Sequence, residues 1–476
     1  MDPTRYDLVI LGGGSAAFAA ITAADDRDLS TAIVNAGLPI GGTCVNVGCV
    51  PSKHLLAVAE TAYEPPQNPF NAITYRDDQP TIDWSAAIEE KDTLVTTLRE
   101  QNYIDVANTF DVDIYHGRGR LQQGPTIDIA EGEDANTQIT GEKVLIATGS
   151  SPWIAPIDGI DDIDYETSET ILERQELPSS FVIIGGGYVA MEWGQILNRM
   201  GVDVTILQRS NHILSDFWAP LGQNLETHLQ QEGITVVTNV SFDQIRTQSN
   251  GDIQANTTVD TDERTFSAQE LFVATGVTPN TADIGLDTLN IGTDENNAIR
   301  TTEYFKTNHS DVYAAGDCIG SPMLETVAAK EGNRAVNNAF GDTTQSINYS
   351  AVPTVIYTSP EVATVGVTEP EYMNQYGTCT CRTVQMENLP KAKTVKDTRG
   401  FLQVVKHHET DDIVGVHMVG PRAADIISEA TLAVKHGLSI HDIIDTIHPF
   451  PTFSEAFKQA CQAFNRDISN MSCCIE

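Results

Sequence analysis

Basic residues are scarce in this chain: 28 lysines and arginines stand against 66 aspartates and glutamates over 476 residues, a formal charge of -38. So negative a surface repels a phosphate backbone, which argues against nucleic acid as a partner. The acidic residues are spread along the sequence rather than gathered in one tail. Their repulsion strains a fold in dilute buffer but is screened in molar salt, where the Debye length is about 3 Å. The expected setting is therefore a salt-filled cytoplasm, that of a halophile. Cysteine is sparse as well, eight residues without framework spacing, which argues against a disulfide-stapled secreted domain. No stretch approaches the roughly 18 uninterrupted apolar residues of a membrane helix. The N-terminus, Met1-Asp2-Pro3-Thr4-Arg5-Tyr6, runs into a strand without an apolar signal segment. A soluble, cytoplasmic protein with no membrane partner is expected.

The chain is too long for one ordinary core and reads as two or three domains, with 41% hydrophobic residues to fill them. Tyr6 to Leu11 is an apolar run of strand character ending in Gly12-Gly13-Gly14-Ser15-Ala16-Ala17, followed by an alanine-rich helix. Strand, G-x-G-x-x-A turn and helix form the arrangement in which backbone N–H groups at a helix N-terminus meet a pyrophosphate. The signal repeats where Phe181 to Ile184 enters Gly185-Gly186-Gly187-Tyr188-Val189-Ala190. A single glycine-rich turn is weak evidence, because such turns also join strands to helices without a ligand. Two of them suggest two dinucleotides. Val144 to Ile146 and Leu271 to Val273, each followed by Ala-Thr-Gly, read as the closing strand of each unit, and Val312 to Asp317 offers a strand end with a carboxylate for a ribityl chain.

The few cysteines are unevenly placed. Cys473 and Cys474 are adjacent, and α-carbons about 3.8 Å apart fall short of the roughly 4.4 to 6.8 Å span of relaxed disulfides. Such a pair is suited to gripping a thiophilic ion. Cys44 and Cys49 lie in a segment running from Gly41 to Lys53. Five residues of ideal helix rise about 7.5 Å, so a bridge there needs a distorted turn, which Gly48 permits. Cys379 and Cys381, two apart on a strand or loop, read as incidental rather than as an added metal site. Cys318 and Cys461 read as small core residues.

The first glycine turn, the thiol segment ending in Lys53, the second glycine turn and Gly316-Asp317 occur in the order found in the flavoprotein disulfide reductases, class I pyridine nucleotide-disulfide oxidoreductases. The chain resembles them from Tyr6 to the C-terminus. The resemblance implies an α/β fold: two Rossmann-like dinucleotide-binding domains plus a C-terminal α+β dimerisation domain. An FAD domain over 1–155 would be completed by 278–348, with an NAD(P)H domain over 156–277 and an interface domain over 349–476, in a homodimer. FAD contacts carry over to Gly12, Gly14, Ala17, Gly42, Thr43, Gly119, Thr148, Gly149 and Asp317, and those of the second nucleotide to Gly185, Gly187 and Gly276. Lys53 and Glu192 match the ion pair beside the flavin, and Tyr188 matches the aromatic lid over its nicotinamide side, with ordinary helix packing as its alternative. Cys44 and Cys49 match the redox-active pair, Cys49 nearer the flavin and Cys44 outside.

Two positions bear on the nucleotides. Strand Thr31 to Val34 should end in an acidic residue for the adenosine ribose, yet Asn35 stands there, an amide that still accepts and donates. The equivalent strand of the second unit ends in Gln208-Arg209, with no carboxylate to repel a 2′-phosphate and a guanidinium to attract one. That favours NADPH; otherwise Arg209 is a solvated surface charge.

After Tyr349 the pattern changes to strands at 362–367, 401–405 and 413–418 and helices at 423–436 and 453–464. Relatives that reduce small disulfides carry a histidine five residues before a glutamate here, a base that moves protons to and from the dithiol. Counting back five from Glu455 reaches Phe450, which transfers no proton. His448 lies two residues early, shifted by about 7 Å along a β-like segment, and reads as structural or as a displaced base. Reduction of a metal ion needs no such base. The segments 393–400 and 463–474 resemble those of mercuric reductases, which typically have a tyrosine where Phe450 stands, so a ligating hydroxyl is missing here. The resemblance implies that Hg(II), brought by small-molecule thiols, passes from Cys473 and Cys474 of the partner subunit to Cys44 and Cys49, with Glu455 retained at the site. Electrons from NADPH through FAD would release it as Hg(0). Many relatives carry an N-terminal metal-capture domain; this chain starts at the FAD strand. The remaining readings are a dihydrolipoamide dehydrogenase or other NAD(P)H disulfide reductase, and a flavin-bearing soft-metal buffer or redox sensor without turnover.

The charge yields a first prediction. The melting temperature rises as KCl is raised to molar concentration and repulsion is screened; a flat or falling value in scanning calorimetry contradicts it.

Overall fold

The computed structural model describes residues 3–64, 67, 69–73 and 81–467. Strand β1 (Thr4–Leu11) lies within a seven-stranded sheet, parallel to β2 (Thr31–Asn35) on one side and to Thr137–Ile146 on the other. Its side chains alternate between two cores. Leu8 and Ile10 pack with helix α1 (Ser15–Asp25), whereas Val9 and Leu11 pack with Leu121, Ile127 and Ile284. Both faces are covered from Leu8 to Leu11, which is why that stretch reads as an unbroken apolar run rather than an alternating one. Val312–Ala314 returns from far along the chain to pair in parallel with Val144–Ile146 and complete this sheet.

The second unit is a four-stranded parallel sheet in the order Thr235–Val237, Asp203–Leu207, Ser180–Ile184, Glu270–Val273. The two units share a detail that explains their glycines. Gly12 has φ +110° and Gly185 φ +120°, and a Cβ at either would overlap a carbonyl, that of Ala147 or Ala274. Each Ala-Thr-Gly closure therefore presses on the first glycine of its turn, where a side chain does not fit. A residue at the end of each second strand covers the middle glycine, Asn35, the last of its strand, over Gly13 and Gln208, the first after its strand, over Gly186.

The C-terminal sheet is antiparallel, in the order Thr354–Ile356, Glu361–Gly366, Ile413–Gly420, Phe401–Lys406, Cys381–Gln385. Helices Ala423–His436 and Glu455–Gln462 bring Ile426, Ala430, Phe457 and Cys461 to its core. The last helix is shorter than the expected span of 453–464. The segment before it is not β-like, as the offset of His448 had assumed, but irregular chain between Ile440–Asp445 and Glu455–Gln462. Pro449 and Pro451 lack the N–H that a ladder or a helix would need. Cys318 and Cys461 are fully buried, as expected of core residues. Among the described residues no helix is long and apolar enough to cross a membrane.

Helix Glu325–Phe340 crosses α1 at Gly332, where a Cβ would overlap the Ala16 carbonyl behind the first glycine turn. Gly332→Ala lowers stability by about 1–3 kcal/mol, read as a fall in denaturant midpoint at constant slope; an unchanged midpoint overturns this contact.

Candidate active site

The thiol segment is built on the first glycine turn. Helix α2 (Gly42–Asn46) packs so closely that a Cβ on Gly42 would stand 2.7 Å from Gly14 Cα. Helix α3 (Cys49–Tyr63) follows, but the two are not continuous. Val47 and Gly48 leave helical geometry, Gly48 at φ -116° and ψ -113°, and a Cβ at 48 would stand 2.9 Å from the Thr43 carbonyl. Ser52 Oγ donates to the Gly48 carbonyl at 2.7 Å and Asn46 Nδ2 to that of Gly42 at 2.8 Å, fixing the break from both sides. The break is what brings the thiols together: Cys44 and Cys49 share a hydrogen bond and are unbridged.

Lys53 lies one turn further along α3. Its Nζ is 2.6 Å from Glu192 Oε2, on the helix Tyr188–Arg199 of the second unit, and 4.9 Å from the ring centre of Tyr357. Glu192 Oε1 accepts from the Tyr357 backbone N–H at 3.0 Å. Three parts of the chain thus meet at one carboxylate. The thiols divide one ionisation between them. The hydrogen bond from Cys44, helped by Lys53, lowers Cys49 to about 7, while the same bond and burial push Cys44 up. Cys49 ionises first and Cys44 keeps its proton. Glu325, absent from any local motif, raises both thiols by its charge.

A cavity of ≈1810 Å³ joins the glycine turn to the thiols. Gly12, Gly14, Asn35, Gly42, Thr43, Cys44, Cys49, Lys53, Gly119, Thr148, Gly149, Tyr188, Glu192 and Asp317 all line it. Ala17 does not; it is fully buried in the core with α1. Asn35 spends its Nδ2 on the Leu38 carbonyl at 3.0 Å, leaving Oδ1 as an acceptor toward the turn. Asp317 accepts from Ser150 Oγ at 2.6 Å, and burial holds its carboxyl above the usual range. Glu331, 3% exposed, accepts from Gly316 N–H at 2.7 Å and from the Tyr349 hydroxyl at 2.6 Å, which anchors the loop bearing Asp317. Long, glycine-floored and supplied with acceptors, this cavity fits FAD.

Other expected site residues lie elsewhere. Gly185, Gly187, Gln208, Arg209 and Gly276 belong to the second turn and do not line this cavity. Gln208 is buried and its Oε1 accepts from the Arg209 N–H at 3.0 Å, while Arg209 is exposed. Glu455 is buried at the start of its helix, with Oε2 3.3 Å from Thr452 N. His448 is committed to Glu429 at 3.0 Å and to the Thr446 carbonyl at 2.9 Å. Cys473 and Cys474 lie outside the described residues. Sequence reasoning missed Glu325, Glu331 and Tyr357, which no local motif marks; each reaches the site only through tertiary packing.

Two nucleotide-type units, a thiol pair and a cross-domain lysine–glutamate pair define a flavin-linked thiol oxidoreductase. Residues 6–332 match the pyridine nucleotide-disulphide oxidoreductase family and residues 352–461 its dimerisation domain, and the chain belongs to this family. It is an enzyme that uses FAD and NADPH. It is 37% identical over 472 residues to a protein of Streptomyces lividans named mercuric reductase, covering 99% of this chain and 98% of that one. A mercuric reductase of Lysinibacillus sphaericus is 34% identical over 471 residues, covering 99% of this chain and 84% of that one. The fold is that of a solved HOCl-induced flavoprotein disulfide reductase from Escherichia coli, in a Cu(II) complex, with TM-score 0.86 at 23% identity over 97% and 99% of the two chains.

In the reduced protein, iodoacetamide labels Cys49 with a midpoint near pH 7 and Cys44 only at higher pH. Lys53→Met moves the Cys49 midpoint up by about one unit or more. Mass-spectrometric mapping that finds Cys44 labelled first, or no shift in the variant, refutes this electrostatic account.

Proposed function

We propose that this protein reduces Hg(II) to Hg(0) at the expense of NADPH, as a homodimer working in concentrated salt. Cys44 and Cys49 form the inner thiol pair, and Cys473 and Cys474 of the partner subunit form the outer one. One observation carries the reading beyond family membership. Phe450 stands where disulfide reductases keep a proton-transferring histidine, and the nearby His448 is already bonded to Glu429 and the Thr446 carbonyl. A departing thiolate would find no acid there, whereas reduction of a metal ion needs none. The named mercuric reductases, alike over nearly the whole chain, support the same substrate.

Bound FAD supplies the two-electron relay between NADPH and the thiols. Overall, NADPH becomes NADP+ with loss of a proton as its two electrons convert Hg(II) to Hg(0). The chain's own residues do the rest. Tyr188, 43% exposed at the cavity wall, is the lid over the nicotinamide side, and Arg209, beside Gln208, is the cation for the 2′-phosphate. The hydrogen bond from Cys44, with Lys53 held by Glu192 beside it, keeps Cys49 ready as a thiolate. During hand-over each Hg–S bond broken at the outer pair is replaced by one to Cys44 or Cys49; the one proton released, that of Cys44, goes to one outer sulfur, and the other outer sulfur is left as a thiolate in place of Cys49. Thiolate suits this soft ion, and the abundant carboxylates, which are hard ligands, do not compete. Ile447 and Phe450, 90% and 51% exposed in the chain by itself, offer apolar surface to the partner subunit.

The test is an assay in concentrated KCl with NADPH, Hg(II) and excess small thiol, measuring mercury vapour and NADPH oxidation together. Cys473→Ala/Cys474→Ala lowers turnover by about 100-fold under thiol excess, because tethered delivery is lost, and part of it returns when thiol is omitted. NADPH oxidation that ignores mercury, or leaves the ion divalent, sinks the proposal. Turnover of dihydrolipoamide with NADH would favour a disulfide reductase, and mercury uptake without NADPH oxidation a metal buffer.

A further inference from the structure

The spacing of Cys379 and Cys381 suggested nothing more than chance, but the fold adds a third donor. Cys381 opens the strand Cys381–Gln385, opposite Val405 of Phe401–Lys406. The pairing extends through Thr380: Lys406 N–H donates to its carbonyl at 3.0 Å, and its hydroxyl donates to the Lys406 carbonyl. Residues two apart in extended chain face the same side, and the two Sγ atoms are 3.2 Å from each other. The helix Glu369–Tyr376 brings Glu369 onto that side. Its Oε1 accepts from Cys379 Sγ at 2.9 Å and its Oε2 from Gln403 Nε2 at 3.2 Å. Glu369 is not needed to cap its helix, because Thr368 and Glu371 form the capping box. The donor atoms of Glu369, Cys379 and Cys381 all lie within 4.8 Å of one another.

We propose that Glu369, Cys379 and Cys381 form a second metal site, separate from the flavin cavity, for a thiophilic divalent cation of the zinc and cadmium class. Two sulfurs and one carboxylate oxygen suit a borderline-soft ion and not magnesium or calcium. With Zn–S bonds of about 2.3 Å, tetrahedral coordination needs the sulfurs about 3.8 Å apart, so they separate by only about half an ångström. Coordination releases the two thiol protons to solvent and forms two metal–sulfur bonds, with no change of oxidation state. Gln403, 3% exposed, orients the carboxylate through its Nε2, and its own Oε1 is buried without a donor among the described residues. A water on the ion is a donor of the kind that Oε1 lacks. Cys379 is exposed and Cys381 partly so, which gives an ion a route in.

The site does not depend on the mercury reading and is tested without turnover. Purified FAD-bound enzyme is reduced, freed of metal and titrated with CdCl2, following thiolate-to-cadmium absorbance and proton release. The unaltered enzyme binds one more equivalent per chain than Cys379→Ser/Cys381→Ser. In a Cys44→Ser/Cys49→Ser/Cys473→Ser/Cys474→Ser protein exactly this equivalent should remain, released by chelator and displaced by Zn(II). Glu369→Gln and Gln403→Leu each weaken it by about 10-fold, with flavin content unchanged. Equal stoichiometry with and without Cys379 and Cys381, or no absorbance band in the protein lacking the other four thiols, overturns the site.

Discussion

One buried carboxylate holds the candidate site of this molecule together. Glu192 comes from the second nucleotide unit, takes a charge-assisted bond from Lys53 of the thiol helix, and accepts the backbone N–H of Tyr357, just past the edge strand Thr354–Ile356 of the C-terminal sheet. Its side chain is only 5% exposed, and both oxygens are occupied. Gln195, one turn along the same helix, repeats the link: its Nε2 donates to the Ser359 carbonyl at 2.9 Å and its Oε1 accepts the Ser359 N–H at 2.8 Å. Removing Glu192 would strand Lys53 and a backbone donor together, so positions far apart in sequence are tied by one charge.

The thiol pair lies beside that arrangement. A break at Val47-Gly48 sets two sulfurs side by side, and the hydrogen bond from Cys44 to Cys49 makes them unequal, with Lys53 adding its charge. Glu325 opposes the ionisation of both, so the pair resists carrying two negative charges. A divalent soft cation bound there would change that balance, since it would supply the positive charge that the second thiolate needs. The same logic extends to Glu369, Cys379 and Cys381, where a carboxylate beside two thiols leaves room for an ion and not for a second anion.

Much of this was legible along the chain because local geometry imposes it. Gly12 and Gly185 are required by carbonyls pressed against them, and such steric demands leave a residue-level trace. Apolar runs buried on both faces, such as Leu8 to Leu11, announce parallel strands for the same reason. Ala17 was legible as part of a motif but not as a wall of the cavity, since its small side chain serves helix packing. His448 was misplaced because a β-like rise was assumed for a segment that two prolines keep irregular. Glu325, Glu331 and Tyr357 left no trace, for two sit in an ordinary helix and the third just after a strand, and each acquires meaning only from what packs against it.

The sequence by itself determined the duplicated nucleotide units, the thiol segment and the antiparallel C-terminal sheet, because backbone sterics and burial periodicity act over a few residues. Tertiary structure alone decided which thiol ionises first, where Glu192 finds its partners, and that Glu369 joins Cys379 and Cys381. Those outcomes are set by distances of a few ångströms between residues that chain order keeps apart, and Coulomb and coordination energies depend on distance rather than on order.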